Sequence, residues 1–283
     1  MGNQKGAGCY EFLGVGPIFD KEGRTREANI LRQTGFMARI CLLGLGRWLV
    51  WCRDETTTMS ARNGSRLGFE RELWQKGMTL VAGVDEAGCG PLAGPVVAGA
   101  VLFPHAWLEA GLCPKLRGLN DSKQLTEEER EKFFEIITSH PEIRFGAATV
   151  DVEMIDRINI LQAAHRAMGL ALEQLQPAPQ HVLVDGRPVK SLRFPNTPLV
   201  KGDCRSYSIA AASVVAKVTR DRLMQEYDRM HPGYGFAEHK GYGTPQHLAA
   251  IAAKGPCPIH RRSFSPFRPV EIEMELFKMP VAE

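Results

Sequence analysis

A chain of 283 residues has room for one or two domains. Its 44% apolar and 24% charged content is ordinary for a globular protein, and a formal net charge of +3 is only a weak pull toward polyanions. Seven scattered cysteines, odd in number and without a CxxC pair, argue against a disulfide framework and a structural zinc site, and they suit a reducing cytosol.

In chain order, residues 36–52 come first as an apolar stretch. They carry Arg39 and Arg47 and fall short of the ~20 residues that a bilayer span needs. They also begin too late for a signal peptide. Residues 1–68 are therefore expected to form a poorly ordered N-terminal extension. A short helix is predicted over 69–75, stopping at Gly77. Residues 79–84 read as a buried strand, and 95–103 as a second strand close enough to pair antiparallel with it. Thr126 caps a helix whose first turn holds Glu127, Glu128 and Glu129, where the helix dipole favours acids. That helix ends near His140.

Residues 143–150 read as a third strand, and 152–159 and 160–174 as helices. The second of these helices has apolar positions 161, 164, 168, 171, 172 and 175 on one face. A short apolar strand, 181–184, ends at Asp185-Gly186, and an irregular arm is expected over 189–198. A long helix over 206–230 contains a small apolar run that can sit close against a sheet. A glycine-rich loop, 233–243, and a last helix, 245–253, follow. From His260 the chain is basic and expected to be partly loose, with 271–283 a tail. The pattern predicts a mixed-sheet α/β domain over 69–270.

The chemistry concentrates in VAGVDEAGCGPLAGP, residues 81–95. An apolar strand runs into Asp85 and Glu86, and a glycine-broken turn follows. Two acids at the end of a core strand repel each other, and a divalent cation offsets that cost. Hard oxygen ligands suit Mg²⁺ or Mn²⁺. The glycines present bare N–H groups to a ligand. Asp185 and Asp203 also sit where a regular element meets a glycine. Alone, each reads equally as a turn or cap residue. Together with Asp85 and Glu86 they suit two divalent ions ~3.5–4 Å apart, and so phosphate hydrolysis. Lys123 reads either as a phosphate contact or as a solvated loop lysine. Ser206 reads either as a phosphate ligand at a helix N-terminus or as its cap. Of Lys217, Arg220 and Arg222, at least one is expected on a solvated face.

From Phe69 to Phe267 the chain resembles bacterial ribonuclease HII. Six blocks carry the resemblance in order. They are AGVDEAGCGPLAG (82–94), LNDSKQL (119–125), IDRINIL (155–161), VDG (184–186), KGD with SIAAASVVAK and RDR (201–222), and HPGYGF with HKGYGT (231–244). The resemblance implies an RNase H-like fold: a mixed five-stranded sheet flanked by helices, with a C-terminal helical segment. It implies hydrolysis of the RNA strand of RNA–DNA hybrids and incision 5′ of ribonucleotides embedded in duplex DNA. Metal-activated water would leave 3′-hydroxyl and 5′-phosphate ends. By the same matching, Asp85, Glu86, Asp185 and Asp203 are the catalytic and metal-binding acids. Gly88-Cys89-Gly90 stands where the family has Gly-Arg-Gly, a turn that reads the ribose 2′-hydroxyl through its backbone. Tyr234 matches a tyrosine that packs on the deoxyribose 3′ of the ribonucleotide. Cys89 is the departure: the backbone donors survive, and an arginine's grip on phosphate is lost. The expected partners are RNA–DNA hybrid and ribonucleotide-containing duplex DNA, with no membrane, for a cytoplasmic monomer.

Two rivals stand beside this reading. A ribonuclease HIII-type chain carries a folded N-terminal platform, and residues 1–68 lack that regularity. A non-catalytic nucleic-acid-binding module would have no use for all four acids.

Overall fold

The computed structural model describes residues 39–43, 47–51 and 66–267, in two units, Met1–Thr58 and Met59–Glu283. In the first unit Arg39–Leu43 (β1) and Arg47–Trp51 (β2) pair antiparallel. Part of the apolar stretch 36–52 is thus extended backbone. The rest of residues 1–65, and the tail 271–283, lie outside the described residues.

In the second unit, Gly68–Gln75 (α1) leads to Val81–Ala87 (β3) and Val96–Leu102 (β4). Trp107–Ala110 (α2) and Glu127–Ser139 (α3) precede Arg144–Val150 (β5). Val152–Ile158 (α4) and Ile160–Glu173 (α5) return the chain to His181–Asp185 (β6) and Asn196–Leu199 (β7). Gly202–Arg205 (α6), Tyr207–Met230 (α7), Phe236–His239 (α8) and Pro245–Lys254 (α9) complete it. The sheet is mixed and five-stranded, in the order β5-β4-β3-β6-β7, as the resemblance implies. β3, β4 and β5 pair antiparallel, and β6 and β7 join in parallel. No helix of the described residues is long and apolar enough to cross a membrane.

Alternation along β3 and β6 builds two cores. Val81 and Leu183 face α7, while Ala82, Val84, Val182 and Val184 face the alanine-rich side of α5. The sheet accepts α7 closely because the facing strands carry glycine. A Cβ on Gly83 would lie 2.2 Å from the Ser208 carbonyl carbon, and one on Gly99 would lie 2.3 Å from Ala212 O. The start of α7 is fixed from α1. Glu70, fully buried, accepts from Ser206 Oγ at 2.6 Å, Ser208 Oγ at 2.7 Å and Ser208 N–H at 3.0 Å. Burial raises the Glu70 carboxyl above its ordinary range.

Four expectations need correction. The arm expected to be irregular over 189–198 contains β7. It is an edge strand that bonds only to β6, where Pro198 costs no central ladder bond. Leu161 is 57% exposed and does not belong to the buried face of α5. That face runs through Ala163, Ala164, Ala167, Met168, Ala171 and Leu172, since alanines let the helix approach the sheet. The loop 233–243 contains the short helix α8. The basic segment from His260 begins as core: His260 and Arg261 are buried.

Gly99→Ala places a methyl against helix backbone that cannot swing away. It should cost about 3 kcal/mol or more, at the upper end of overpacking penalties. Thermal unfolding should show a Tm drop of at least ~6 °C. A drop of only a degree or two would mean that α7 is free to shift outward.

Candidate active site

Strand register brings the first two acids together. β3 and β6 run parallel, with Val84 beside Val184, so Asp85 and Asp185 are adjacent one residue further on and share the α7 face. Asp203 arrives from the turn that follows β7. Lys201 takes the left-handed conformation there, at φ 55°. Gly202 donates its N–H to Asp185 Oδ1 at 2.7 Å. Carboxylate oxygens of Asp85, Asp185 and Asp203 all lie within 4.8 Å of one another. Each aspartate spends one oxygen on a backbone N–H: Glu86 N–H to Asp85 at 2.7 Å, Gly202 N–H to Asp185, and Cys204 N–H to Asp203 at 2.9 Å.

The electrostatics follow from that crowding. Burial, then Glu86 and Asp185, pushes the Asp85 carboxyl well above the usual carboxylate range. Burial and then Asp185 raise both Glu86 and Asp203. Lys123 is the cation that answers them. Partial burial pulls its pKa down, but Asp121, Asp85, Asp203 and Asp185 outweigh this and raise it. Three aspartates whose oxygens converge where their charges repel form a hard-oxygen donor set that a divalent cation fits.

Glu86 differs from the other three acids. Alternation turns it to the opposite face of β3 from Asp85. It sits on the rim, where the Cys89 thiol lies 3.6 Å from its Oε1. Asp121 is an addition: it groups with Asp203 and Cys204 within the same 4.8 Å limit.

Beside Asp85 opens a cleft of about 320 Å³, bounded by Glu86, Gly88-Cys89-Gly90, Lys123 and Tyr242. A larger groove of about 590 Å³, between α5 and the segment 191–194, holds none of the four acids. Gly88 takes a φ of 98°. Burial, then the Glu86 charge, pushes the Cys89 thiol up to about 12, so it stays neutral.

Ser206 takes the capping reading and not the phosphate one, and Tyr234 does not stand where the resemblance put it. Ser206 has no exposed surface; its hydroxyl caps α7 and donates to Glu70, leaving nothing for a phosphate. Tyr234 is buried, its ring stacked on Phe236 and its hydroxyl donating to Gly255 O at 2.7 Å. Tyr242, eight residues on, lines the cleft and is 46% exposed. Both tyrosines stand in Gly-Tyr-Gly, so local sequence did not separate them.

The basic residues of α7 part ways. Arg222 pairs with Glu131 at the surface, Lys217 with Asp221 at 2.7 Å, and Arg220 is buried.

Asp85→Asn removes one buried like charge and keeps the acceptor for Glu86 N–H. Without added metal, scanning calorimetry should give a Tm ~2–4 °C higher, the effect of about 1 kcal/mol of relieved repulsion and desolvation. A lower Tm would show that the three carboxylates do not strain the fold.

Residues 82–266 match the sequence model of the family described as Ribonuclease HII. The chain is 50% identical over 218 residues to a ribonuclease HII of Anaeromyxobacter sp. (strain Fw109-5), covering 76% of this chain and 67% of that relative. It is 52% identical over 202 residues to a ribonuclease HII of Geobacter metallireducens, covering 69% of this chain and 91% of the relative. The crystal structure of the ribonuclease H2 from Pyrococcus horikoshii OT3 superposes with a TM-score of 0.55 at 30% identity, covering 67% of this chain and 95% of that one.

Proposed function

The chain belongs to the ribonuclease HII family, and we propose from this how the groups of its cleft divide the work. It is a metal-dependent endoribonuclease that hydrolyses the RNA strand of RNA–DNA hybrids. We assign the cation to Asp85, Asp185 and Asp203, with Glu86 completing the set from the rim. A bound Mg²⁺ or Mn²⁺ supplies charge stabilisation at the phosphoryl oxygens and a water of lowered pKa.

The remaining steps belong to the protein. Hydrogen bonds from Glu86, Gly202 and Cys204 N–H hold the three aspartates in place as charge moves. Lys123, kept protonated by the acids, contacts a phosphate of the cleaved strand. The N–H groups of the Gly88-Cys89-Gly90 turn read the ribose 2′-hydroxyl, which is a handle and not the nucleophile. Tyr242, in place of Tyr234, lays its ring on the sugar 3′ of the ribonucleotide. The scissile bond is then the one on the 5′ side, leaving 3′-hydroxyl and 5′-phosphate ends. Free cysteines at 89, 113, 204 and 257 suit the cytoplasm, where we place the protein, acting as a monomer.

One observation supports the reading most: three aspartates converge, and one of them, Asp85, lines a cleft walled by a side-chain-poor turn. The test is incision of duplex DNA holding one internal ribonucleotide. Cleavage 5′ of that residue should require Mg²⁺ or Mn²⁺, and Asp203→Asn should lower it at least ~10³-fold. Tyr242→Ala should lower kcat/KM ~10-fold, while Tyr234→Phe should lower Tm and spare kcat/KM. Binding without cleavage in the unsubstituted protein would return the assignment to a binding module.

Cys89→Arg restores a guanidinium at the mouth of the cleft. It should tighten duplex binding and steepen the dependence of log Kd on log salt by about one phosphate contact. An unchanged salt slope would mean that residue 89 does not face the backbone of the substrate.

A further inference from the structure

Two arginines lie beneath the Gly88–Pro95 turn with almost no exposed surface, Arg220 at 1% and Arg261 at 0%. Among the described residues neither makes an ion pair. Every acceptor they use is a main-chain carbonyl. Arg220 donates to Ala93 O at 3.2 Å, Pro95 O at 3.0 Å and Lys240 O at 3.0 Å. Arg261 donates to Gly94 O at 2.9 Å, Cys89 O at 3.2 Å and Gly88 O at 2.6 Å. The absent Cβ of Gly88 leaves room for this: one built there would lie 2.1 Å from Arg220 Nε.

The carbonyls that Arg261 holds fix what the other side of the turn presents. In a trans peptide the C=O and the N–H point in opposite directions, and the 88–89 and 89–90 bonds are trans. Anchoring Gly88 O on Arg261 therefore aims the Cys89 N–H away from it. Anchoring Cys89 O does the same for the Gly90 N–H. Neither N–H has an acceptor among the described residues, and both residues line the cleft beside Asp85. The guanidinium also withdraws electron density through each carbonyl, which strengthens the N–H as a donor.

We propose that Arg261 is a positioning residue for ribose discrimination: from behind the turn it aims and polarises the Cys89 and Gly90 N–H groups toward the 2′-hydroxyl. The inference rests on the reading of that turn as the ribose reader. Burial, then repulsion from Arg220, pulls the Arg261 guanidinium down to about 9, so it stays charged at neutral pH. A lysine there would keep a charge but lose the fork that spans three carbonyls.

The test compares Kd for an all-DNA duplex with Kd for the same duplex carrying one ribonucleotide, with Ca²⁺ in place of the catalytic metal. The unsubstituted protein should favour the ribonucleotide by about fivefold or more, the worth of one hydrogen bond. Arg261→Lys should shrink that ratio below about twofold, with affinity for the all-DNA duplex and for Mn²⁺ little changed. A loss of folded protein would weaken both duplexes alike. A ratio near one in the unsubstituted protein overturns the ribose-reader assignment, and the inference with it. A preserved ratio in folded Arg261→Lys overturns the inference alone. If Arg261→Lys does not fold, hydrogen exchange in the unsubstituted protein decides. Extra protection of the Cys89 and Gly90 amides by the ribonucleotide duplex supports the proposal, and equal protection by both duplexes overturns it.

Discussion

Like charge held out of water is the constraint around which this fold is arranged. Asp85, Asp185 and Asp203 would separate if their backbones were free to move, because burial and the neighbouring Asp185 charge penalise the ionised forms of Asp85 and Asp203. They do not separate because each is fixed by a different element. β3 carries Asp85 between β4 and β6, β6 carries Asp185 into the turn after it, and Gly202 ties the turn bearing Asp203 to Asp185. The close seat of α7 on Gly83 and Gly99 secures the face that all of this rests on. Stability invested in packing is spent locally on electrostatic strain, which a cation relieves.

Much of this was readable before any coordinates. Apolar runs ending in acids, glycines after them and a capped helix pointed to four of the five strands of the sheet, to α3 and to four converging acids, of which the three aspartates meet. Strict alternation would also have separated Glu86 from Asp85, because neighbours on a strand face opposite ways. What sequence hid was long-range. Arg220 and Arg261 look like solvent-facing cations until their acceptors, carbonyls 125 to 173 residues away for most of the bonds, are in view. β7 was hidden by its proline, which only an edge position tolerates. Leu161 misled because large apolar side chains outweigh alanines in any hydrophobic pattern, whereas a close helix–sheet contact wants the alanines.

The segment from Arg66 to Glu70 shows how support extends beyond residues 82–266, which carry the family match. Arg66 donates to the Asp203 carbonyl at 2.5 Å and to the Leu119 carbonyl, joining the turn of one acid to the loop of Lys123. Glu70, in the helix that follows, holds the first turn of α7. The acids and the groups around them are thus braced from both ends of the domain.

The wall built by the last forty described residues has its own consequence. Leu92 N–H donates to Gly241 O, Gly94 N–H to Ile259 O and Arg261 N–H to Leu92 O, so this wall is stitched to the glycine turn and not to the three aspartates. The turn proposed to read the sugar follows Asp85 and Glu86 directly in the chain, yet its support comes from a distant C-terminal stretch. Substitutions confined to that stretch would therefore shift the glycine turn from behind without altering any residue between Asp85 and Gly90.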